Sequence, residues 1–496
     1  MKKAIVIGSG FAGLSAASFL AQQGWNVEVI EKNDQPGGRG RKFTEQGFVF
    51  DMGPSWYWMP DVFDRYFNAF GKKVSDYYTL QRLDPSYSVY FEKDRMDIPS
   101  DYNALRDLFE SIENGAAKQL DLFLEEAAFK YRVGIDKLVH KPSLSWTEFI
   151  DKDLAKGIFR LDVFTSMKKH IRRFFSNEKL IQLLEFPVLF LGALPADIPA
   201  LYSLMNHADI KLGTWYPQGG MHHIGRSMHE LACSLGVKFY FNHEVIGMDV
   251  ENHQIKTVNV LHNGERIKFQ ADVIVGGADY HHIETKLLSE QHRSYSDAYW
   301  ENRTMAPSCL LYYVGINKRL KNATHHSLFF DVDFDKHGKE IYTNPSWPSE
   351  PLFYVSVPSV TDSTVAPEGC ENLFFLIPVA AGLSGDDSVT RDRYFEQILT
   401  RYENRIGENV RDAIVYKRSY AIEDFKSDYH AFKGNAYGLA NTLMQTAILK
   451  PSLKSKKIKN LYFTGQLTVP GPGVPPSLIS GEVVAKQIHQ AYNSSK

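Results

Sequence analysis

Residues 4–7 form a short, unbroken, mostly β-branched run, the pattern of a strand buried on both faces of a parallel sheet. Small and polar residues follow at once, Gly8, Ser9, Gly10, Phe11, Ala12 and Gly13. Over 14–23 the apolar positions Ala16, Ala17, Leu20 and Ala21 then predict a helix that packs on the sheet. Gly24 predicts its end, residues 27–30 a second strand, and Glu31 stands just past that strand. The same strand and helix periods return at 215–231, 237–241, 244–245 and 272–275. Between 65 and 212 the pattern is mostly helical, whereas strands dominate from 310 to 378, and an apolar helix ends near Ile488. This order predicts an α/β protein: a Rossmann-like nucleotide domain in segments (1–75, 213–290 and 450–496), a mixed-sheet substrate domain (291–449 with parts of 76–100), and a helical insertion (101–212).

The first motif carries chemistry. Gly8 permits a tight turn, Gly10 lets backbone approach a pyrophosphate, and Gly13 allows close packing of helix on strand. Phosphates would sit at the positive end of the helix, with Glu31 as acceptor for ribose hydroxyls. The motif occurs once, so a second nucleotide domain for NAD(P)H is not expected.

Composition narrows the partners. The chain has 496 residues, 44% hydrophobic and 23% charged, enough for a large core and two or three domains. A net charge of -2 gives no field for nucleic acid, so none is expected as partner. Cys233, Cys309 and Cys370 make no disulfide framework and no CxxC pair, which fits a reducing cytoplasm. Lys2 and Lys3 before the uncharged residues 4–27 imitate a signal or anchor, but Gly8, Gly10, Gly13 and the serines make a poor spanning helix. The apolar run 181–205 is broken by Glu185, Pro187, Pro195, Asp197 and Pro199.

Downstream of Glu31 and Lys32 lie Gly37, Gly38, Arg39 and Arg41, then Asp51, Met52, Gly53, Pro54 and Ser55. On these residues the chain resembles the FAD-dependent carotenoid desaturases of the bacterial phytoene desaturase type, within the flavin amine oxidase superfamily. The resemblance implies FAD as cofactor, a GG[RK] turn whose backbone and Arg39 reach its phosphates, and a D-x-GP segment beside the flavin ring. It places the backbone of Val245 at the adenine. The most specific likeness is C-terminal: Gly465, Gln466, Thr468, Pro470, Gly471, then Pro475, Pro476 and Ser477 before the last helix, whose N-terminus would stabilise reduced flavin. Two departures stand out, Val469 where many desaturases carry histidine and Gln466 where many superfamily members carry Asp. Similar segments at 358–362, 366–372 and 424–445 extend the likeness over essentially the whole chain.

Aromatic residues are in excess, with 32 Phe, 26 Tyr and 7 Trp. Clusters at 56–58, 63–70, 174–175, 186–190 and 329–330 are expected to wall a tunnel for a polyene, Tyr57 and Trp58 first among them because they follow Pro54. Lys168, Lys169, Arg172 and Arg173, followed by the apolar run from Ile181, are expected to sit on an anionic leaflet, giving peripheral, monotopic attachment to the inner face of the cell membrane. The histidines at 222–223, 281–282 and 325–326 are adjacent in pairs and point apart, so no metal is assigned. Asp136, Glu423 and Asp424 are available carboxylates without a catalytic assignment.

The expectation is FAD-dependent desaturation of a linear C40 carotenoid, phytoene towards lycopene, by hydride transfer to flavin, with quinone or oxygen as electron acceptor. Alternatives are a later carotenoid desaturase (1-hydroxy carotenoid 3,4-desaturation), a C30 diapophytoene desaturase, a carotenoid isomerase, and a prenyl-lipid escort protein without chemistry.

Overall fold

The structure, a computed structural model, describes residues 2–145, 148, 161–189 and 191–494. Parts of the expected insertion, residues 146–147, 149–160 and 190, lie outside the described residues, and with them Phe190.

The opening strand Lys3–Ile7 is the centre of a five-stranded parallel sheet. Asn26–Ile30 and Lys238–Tyr240 lie on one side of it, Val273–Gly276 and Leu461–Phe463 on the other. Three of the five strands therefore come from far along the chain, and the sheet closes only when the C-terminal quarter folds back. Helix Phe11–Gln22 lies against the last helix, Val474–Asn493, and glycine sets the approach: a Cβ on Gly481 would stand 2.5 Å from the Ala12 carbonyl oxygen. Ser15 Oγ donates to the Leu478 carbonyl at 2.6 Å across the same contact. Antiparallel strands Glu244–Glu251, Gln254–His262 and Glu265–Phe269 form a flap beside the sheet.

A second sheet has seven strands, in the order Ile414–Tyr420, Ser308–Ile316, Glu371–Val379, Phe353–Ser356, His326–Phe330, Tyr87–Phe91 and Arg95–Ile98. All neighbours are antiparallel except the pair of His326–Phe330 with Tyr87–Phe91. Alternation along its strands divides the side chains between two cores. Phe329, Phe353, Val355, Phe375 and Ile377 pack under helix Ser388–Ile406, whereas Leu328, Phe330, Tyr354, Phe374 and Leu376 face helices such as Ala116–Val133 and Glu178–Leu189. The α/β class with a segmented Rossmann-like sheet and a mixed sheet is as expected. The helical character of 65–212 needs one correction, because strands Leu80–Arg82, Tyr87–Phe91 and Arg95–Ile98 interrupt it.

Candidate active site

A deep cavity opens at the C-terminal ends of the parallel strands, where about 1120 Å³ of space lies between protein atoms, partly open to solvent. Its wall begins with the glycine turn. Gly8 has φ +94, and a Cβ on Gly13 would sit 2.1 Å from the Gly8 carbonyl oxygen, so helix and turn touch through hydrogen atoms alone. The helix that follows has no side-chain cap at Gly10, and its first backbone bond is Leu14 N–H to the Gly10 carbonyl at 2.9 Å. The N–H groups before it are left as donors at the cavity wall. Opposite stands the second glycine turn, held by Gly37 N–H donating to the Ser9 carbonyl at 2.9 Å, with Gly37 and Gly38 both left-handed.

Of the sequence-predicted residues, Gly8, Gly10, Phe11, Ala12, Glu31, Lys32, Gly38, Arg39, Val245, Gly465, Gln466 and Ser477 line this cavity. Ser9 and Gly13 lie behind the wall, Ser9 fully buried and bonded to Glu31. Gly53, Pro54 and Ser55 line a smaller space of about 390 Å³ with Asp51, Tyr216, His325 and Ser356. Met52 lines neither; its N–H donates to the Arg41 carbonyl and its carbonyl accepts from Tyr313 Oη, both at 2.8 Å, which ties the D-x-GP segment between the two sheets.

Glu31 is the best-satisfied carboxylate of the site. Oε2 accepts from the backbone N–H and hydroxyl of Ser9 at 2.7 and 2.8 Å, and Oε1 from the backbone and side chain of Asn33 at 2.8 and 2.9 Å. Its lone-pair sites are thus occupied by protein donors. Arg39 Nη2 donates to the Asn435 carbonyl at 3.1 Å, while Nε has no partner. Burial lowers the pKa of this guanidinium, and Tyr429 and Asp279 oppose the shift. Asp279 caps His282 N–H at 3.0 Å and accepts from Phe432 N–H at 3.1 Å, and burial raises its pKa. His282, stacked on His430 at 3.9 Å, is pushed down to about 3 by burial and by His430, so it stands neutral.

Pro475 and Pro476 are displaced from the expected position. The last helix starts at Val474, so both prolines sit inside its first turn and contribute no N–H, and Ser477 N–H already donates to the Gly473 carbonyl at 3.1 Å. The helix end offers its dipole and few free donors.

The aromatic clusters also need sorting. Tyr57 is core, not tunnel: it stacks on Phe63 at 4.3 Å and shares a hydrogen bond with Tyr78 Oη at 3.0 Å beneath the nucleotide sheet. Phe63 and Phe67 belong to the same core, and Phe175 packs edge-on against Phe109 and Phe123. Trp56 and Trp58 do turn towards the seven-stranded sheet, where both meet Phe186 at 6.1 Å. Beyond them, about 660 Å³ of apolar space lies between that sheet and helices Glu178–Leu189 and Phe334–Tyr342, walled by Phe186, Leu328, Phe330, Phe334, Tyr354 and Leu376 among others. Phe329 points to the opposite face. The expected membrane-dipping stretch is corrected as well: Leu180, Ile181, Leu183, Leu184, Phe186 and Val188 are buried in the protein core.

Neither Glu423, paired with Lys426 at 2.7 Å, nor Asp424, paired with Arg391 at 2.8 Å, lines a cavity described above. Glu126, Asp162 and His170 could together hold a metal by spacing, but Lys130 Nζ stands among them, 3.0 Å from Asp162 and 3.2 Å from His170 Nε2. For Asp51, the acid of the D-x-GP segment, sequence reasoning missed the partners: its carboxylate accepts from Met221 and His222 N–H at 2.7 and 2.9 Å and so joins that hairpin to helix His222–Ser234. An acidic residue in a strand-end turn ahead of a distant helix carries no local signal of that partnership.

A glycine turn against an uncapped helix end, a second glycine turn facing it and an unpartnered arginine Nε make a dinucleotide site of the flavoprotein kind. Residues 11–489 match the family model for flavin containing amine oxidoreductases. A carotenoid 3,4-desaturase of Haloarcula japonica is 40% identical over 97% of both chains. A zeta-carotene-forming phytoene desaturase of Myxococcus xanthus is 30% identical over 98% of this chain and 94% of its own. Among solved structures, an oxidoreductase from Methanosarcina mazei aligns over 98% of this chain and all of its own with a TM-score of 0.62 at 16% identity, a likeness of fold. The chain belongs to the flavin-containing amine oxidoreductase family and, within it, to the carotenoid desaturases. It is an FAD-dependent oxidoreductase.

Proposed function

We propose that the protein desaturates a linear carotenoid, with the 3,4 bond of an end group as the leading step and phytoene towards lycopene as the second reading. The observation that carries the desaturase reading is the apolar space on the face of the seven-stranded sheet, which meets the D-x-GP segment through Tyr354, whose hydroxyl lies beside Ser55. The 3,4 step is favoured by the relative at 40% identity, and phytoene by the one at 30%. When bound, FAD supplies a two-electron oxidation by accepting a hydride. The chain's own residues do the rest. Gly8, Gly10, Phe11, Ala12, Gly38 and Arg39 would hold the phosphates. Glu31 and Lys32 would hold the ribose, Val245 the adenine, and Gly465, Gln466 and Ser477 the part nearer the ring. The rings of Phe186, Phe330 and Phe334 exclude water and position an allylic carbon.

Attachment to the inner face of the cell membrane fits an apolar substrate. Phe164 is 88% exposed and Leu144 57% exposed. Phe164 lies close in sequence to Lys168, Lys169, Arg172 and Arg173, so a ring and cations could share one leaflet. A quinone or oxygen would then reoxidise the flavin.

Pigment analysis in bacterial hosts accumulating phytoene, lycopene or a 1-hydroxy carotenoid tests the reading. The leading reading expects new 3,4 double bonds in the latter two hosts and unchanged phytoene. Loss of phytoene replaces it with the second reading. Conversion only of a C30 substrate, geometric isomerisation without oxidation, or tight carotenoid binding without chemistry would each replace both.

A further inference from the structure

Four polar side chains line the apolar space: His337, Tyr342, Tyr354 and Tyr437. Three are already committed to partners that cannot readily take up a further proton. His337 Nε2 donates to the Pro378 carbonyl and Nδ1 accepts from Leu352 N–H, both at 2.9 Å, so its two nitrogens are used. Tyr342 Oη donates to the Leu189 carbonyl at 2.9 Å. Tyr437 lies against the Cys309 thiol, which burial pushes up to about 12.

Tyr354 differs. Its Oη is 2.6 Å from Nδ1 of His326, a fully buried residue whose Nε2 has no hydrogen-bond partner. Ser55 and Ser356 also lie near this hydroxyl, so it stands where the apolar space meets the D-x-GP segment. The imidazole is fixed in orientation by stacking on Trp56, with ring centres 4.3 Å apart and planes 13° from parallel. Register explains the pairing. His326 is opposite Ser356 and Leu328 opposite Tyr354, so the histidine and the tyrosine are diagonal neighbours on the same face as Leu328 and Phe330.

From this geometry we infer that Tyr354 is a catalytic residue of the desaturation, receiving the substrate proton, and that His326 is the positioning residue behind it, taking the proton on. The inference rests on the desaturase reading. Removal of a hydride leaves an allylic cation. The C–H bond on the neighbouring carbon then breaks, its electron pair becomes the new double bond, and its proton passes to Tyr354 Oη as the phenolic proton moves to His326 Nδ1. Two hydrogens leave the substrate, one as hydride and one as proton, and the imidazole gains one positive charge. Burial keeps the ring neutral beforehand and the phenol protonated, the states this transfer needs. A weak base suffices, because a C–H bond beside an allylic cation is strongly acidic. A positioned acceptor is needed because the apolar wall keeps bulk water away.

The test uses Tyr354→Phe, His326→Gln and the double variant as holoenzymes, followed by anaerobic bleaching of the flavin on adding a linear carotenoid. The expected result is at least about a hundredfold slower bleaching in each variant. The double variant should be no slower than Tyr354→Phe. Deuterium at the proton-losing carbon should slow the variants more than the wild type, while deuterium at the hydride-losing carbon does not. Flavin content, and carotenoid binding by the flavin-free protein, should match wild type. Wild-type rates in Tyr354→Phe overturn the inference. Slower rates with unchanged isotope effects also overturn it, since they mark a structural role. A wild type that bleaches with no carotenoid overturns the desaturase reading first, and the inference falls with it.

Discussion

The two cavities are made in opposite ways. The nucleotide cavity is largely backbone: glycine turns, the N-terminal turn of one helix and strand ends, with residues 7–39 supplying the largest single share. The apolar cavity is almost wholly side chain, gathered from residues 186–189, 307, 328–342, 352–354, 376–378 and 437. A backbone site tolerates little change in its few glycines and is indifferent to much else. A side-chain site can be re-sized at many positions without harm to the fold, which is how one cofactor chassis can serve carotenoids of different length and end group.

The sharpest break of this comparison is Gly13→Val. Its Cβ would fall 2.1 Å from the Gly8 carbonyl oxygen, a clash that no side-chain movement can relieve because both atoms are fixed by backbone. The expected outcome is loss of bound flavin and a destabilisation of at least about 3 kcal/mol, read by flavin absorbance after gel filtration and by chemical unfolding. Retention of flavin would show that the turn can open.

The next is the reciprocal change. Leu328→Trp adds a ring to the apolar wall on the face shared with Phe330 and Tyr354. Carotenoid turnover should fall roughly thirtyfold, about 2 kcal/mol of transition-state binding, with flavin content unchanged. Equal loss of both would mean that the cavities are not separable.

Legibility follows the same division. The nucleotide half was readable because its instructions are local: a strand, six residues of turn, a helix and an acid, each constrained by its neighbours. The apolar half was readable only as composition. Residues 56–58 show why. Three consecutive aromatics look like one wall, yet successive side chains on an extended segment point to opposite sides. Trp56 and Trp58 therefore meet Phe186, whereas Tyr57 lies against Phe63 in the other core. The partnership of His326 with Tyr354 exists only once two strands have taken their register, and the adjacent His325 disguised it as one more histidine pair. Likewise, the paired prolines at 475–476 marked the place of the last helix but not that its first turn begins one residue earlier.

Glu31 offers a milder perturbation of the backbone site. Glu31→Ala removes an acceptor from four donors of Ser9 and Asn33, as well as from the ribose it is proposed to hold. Flavin affinity should fall about tenfold, roughly 1.4 kcal/mol, in a fluorescence titration of the apoprotein, with a smaller loss of stability because Ser9 N–H is left buried without a partner. Unchanged affinity would restrict Glu31 to holding the glycine turn.

The smallest effect lies on the surface, at the membrane contact proposed above. Among the described residues no helix is long and apolar enough to cross a membrane, and the apolar stretch beginning at Ile181 is used up in the core. The proposed attachment rests on exposed side chains, and among the described residues Phe164, 88% exposed, is the largest exposed apolar one. The nearby cations are only partly free for a leaflet: Lys168 is 2.9 Å from Asp335 and Arg172 is 3.2 Å from Glu178, while Lys169 is exposed. Burial of one ring is worth about 2 kcal/mol at most, and shared contact with other side chains reduces the share lost on substitution. Phe164→Ser should therefore weaken sedimentation with anionic vesicles about threefold, and Lys169→Glu by a similar factor that disappears at high salt. Neither change should alter unfolding or flavin content, because neither side chain belongs to a core or a cavity wall. Vesicle binding insensitive to both would move the docking face away from this part of the molecule.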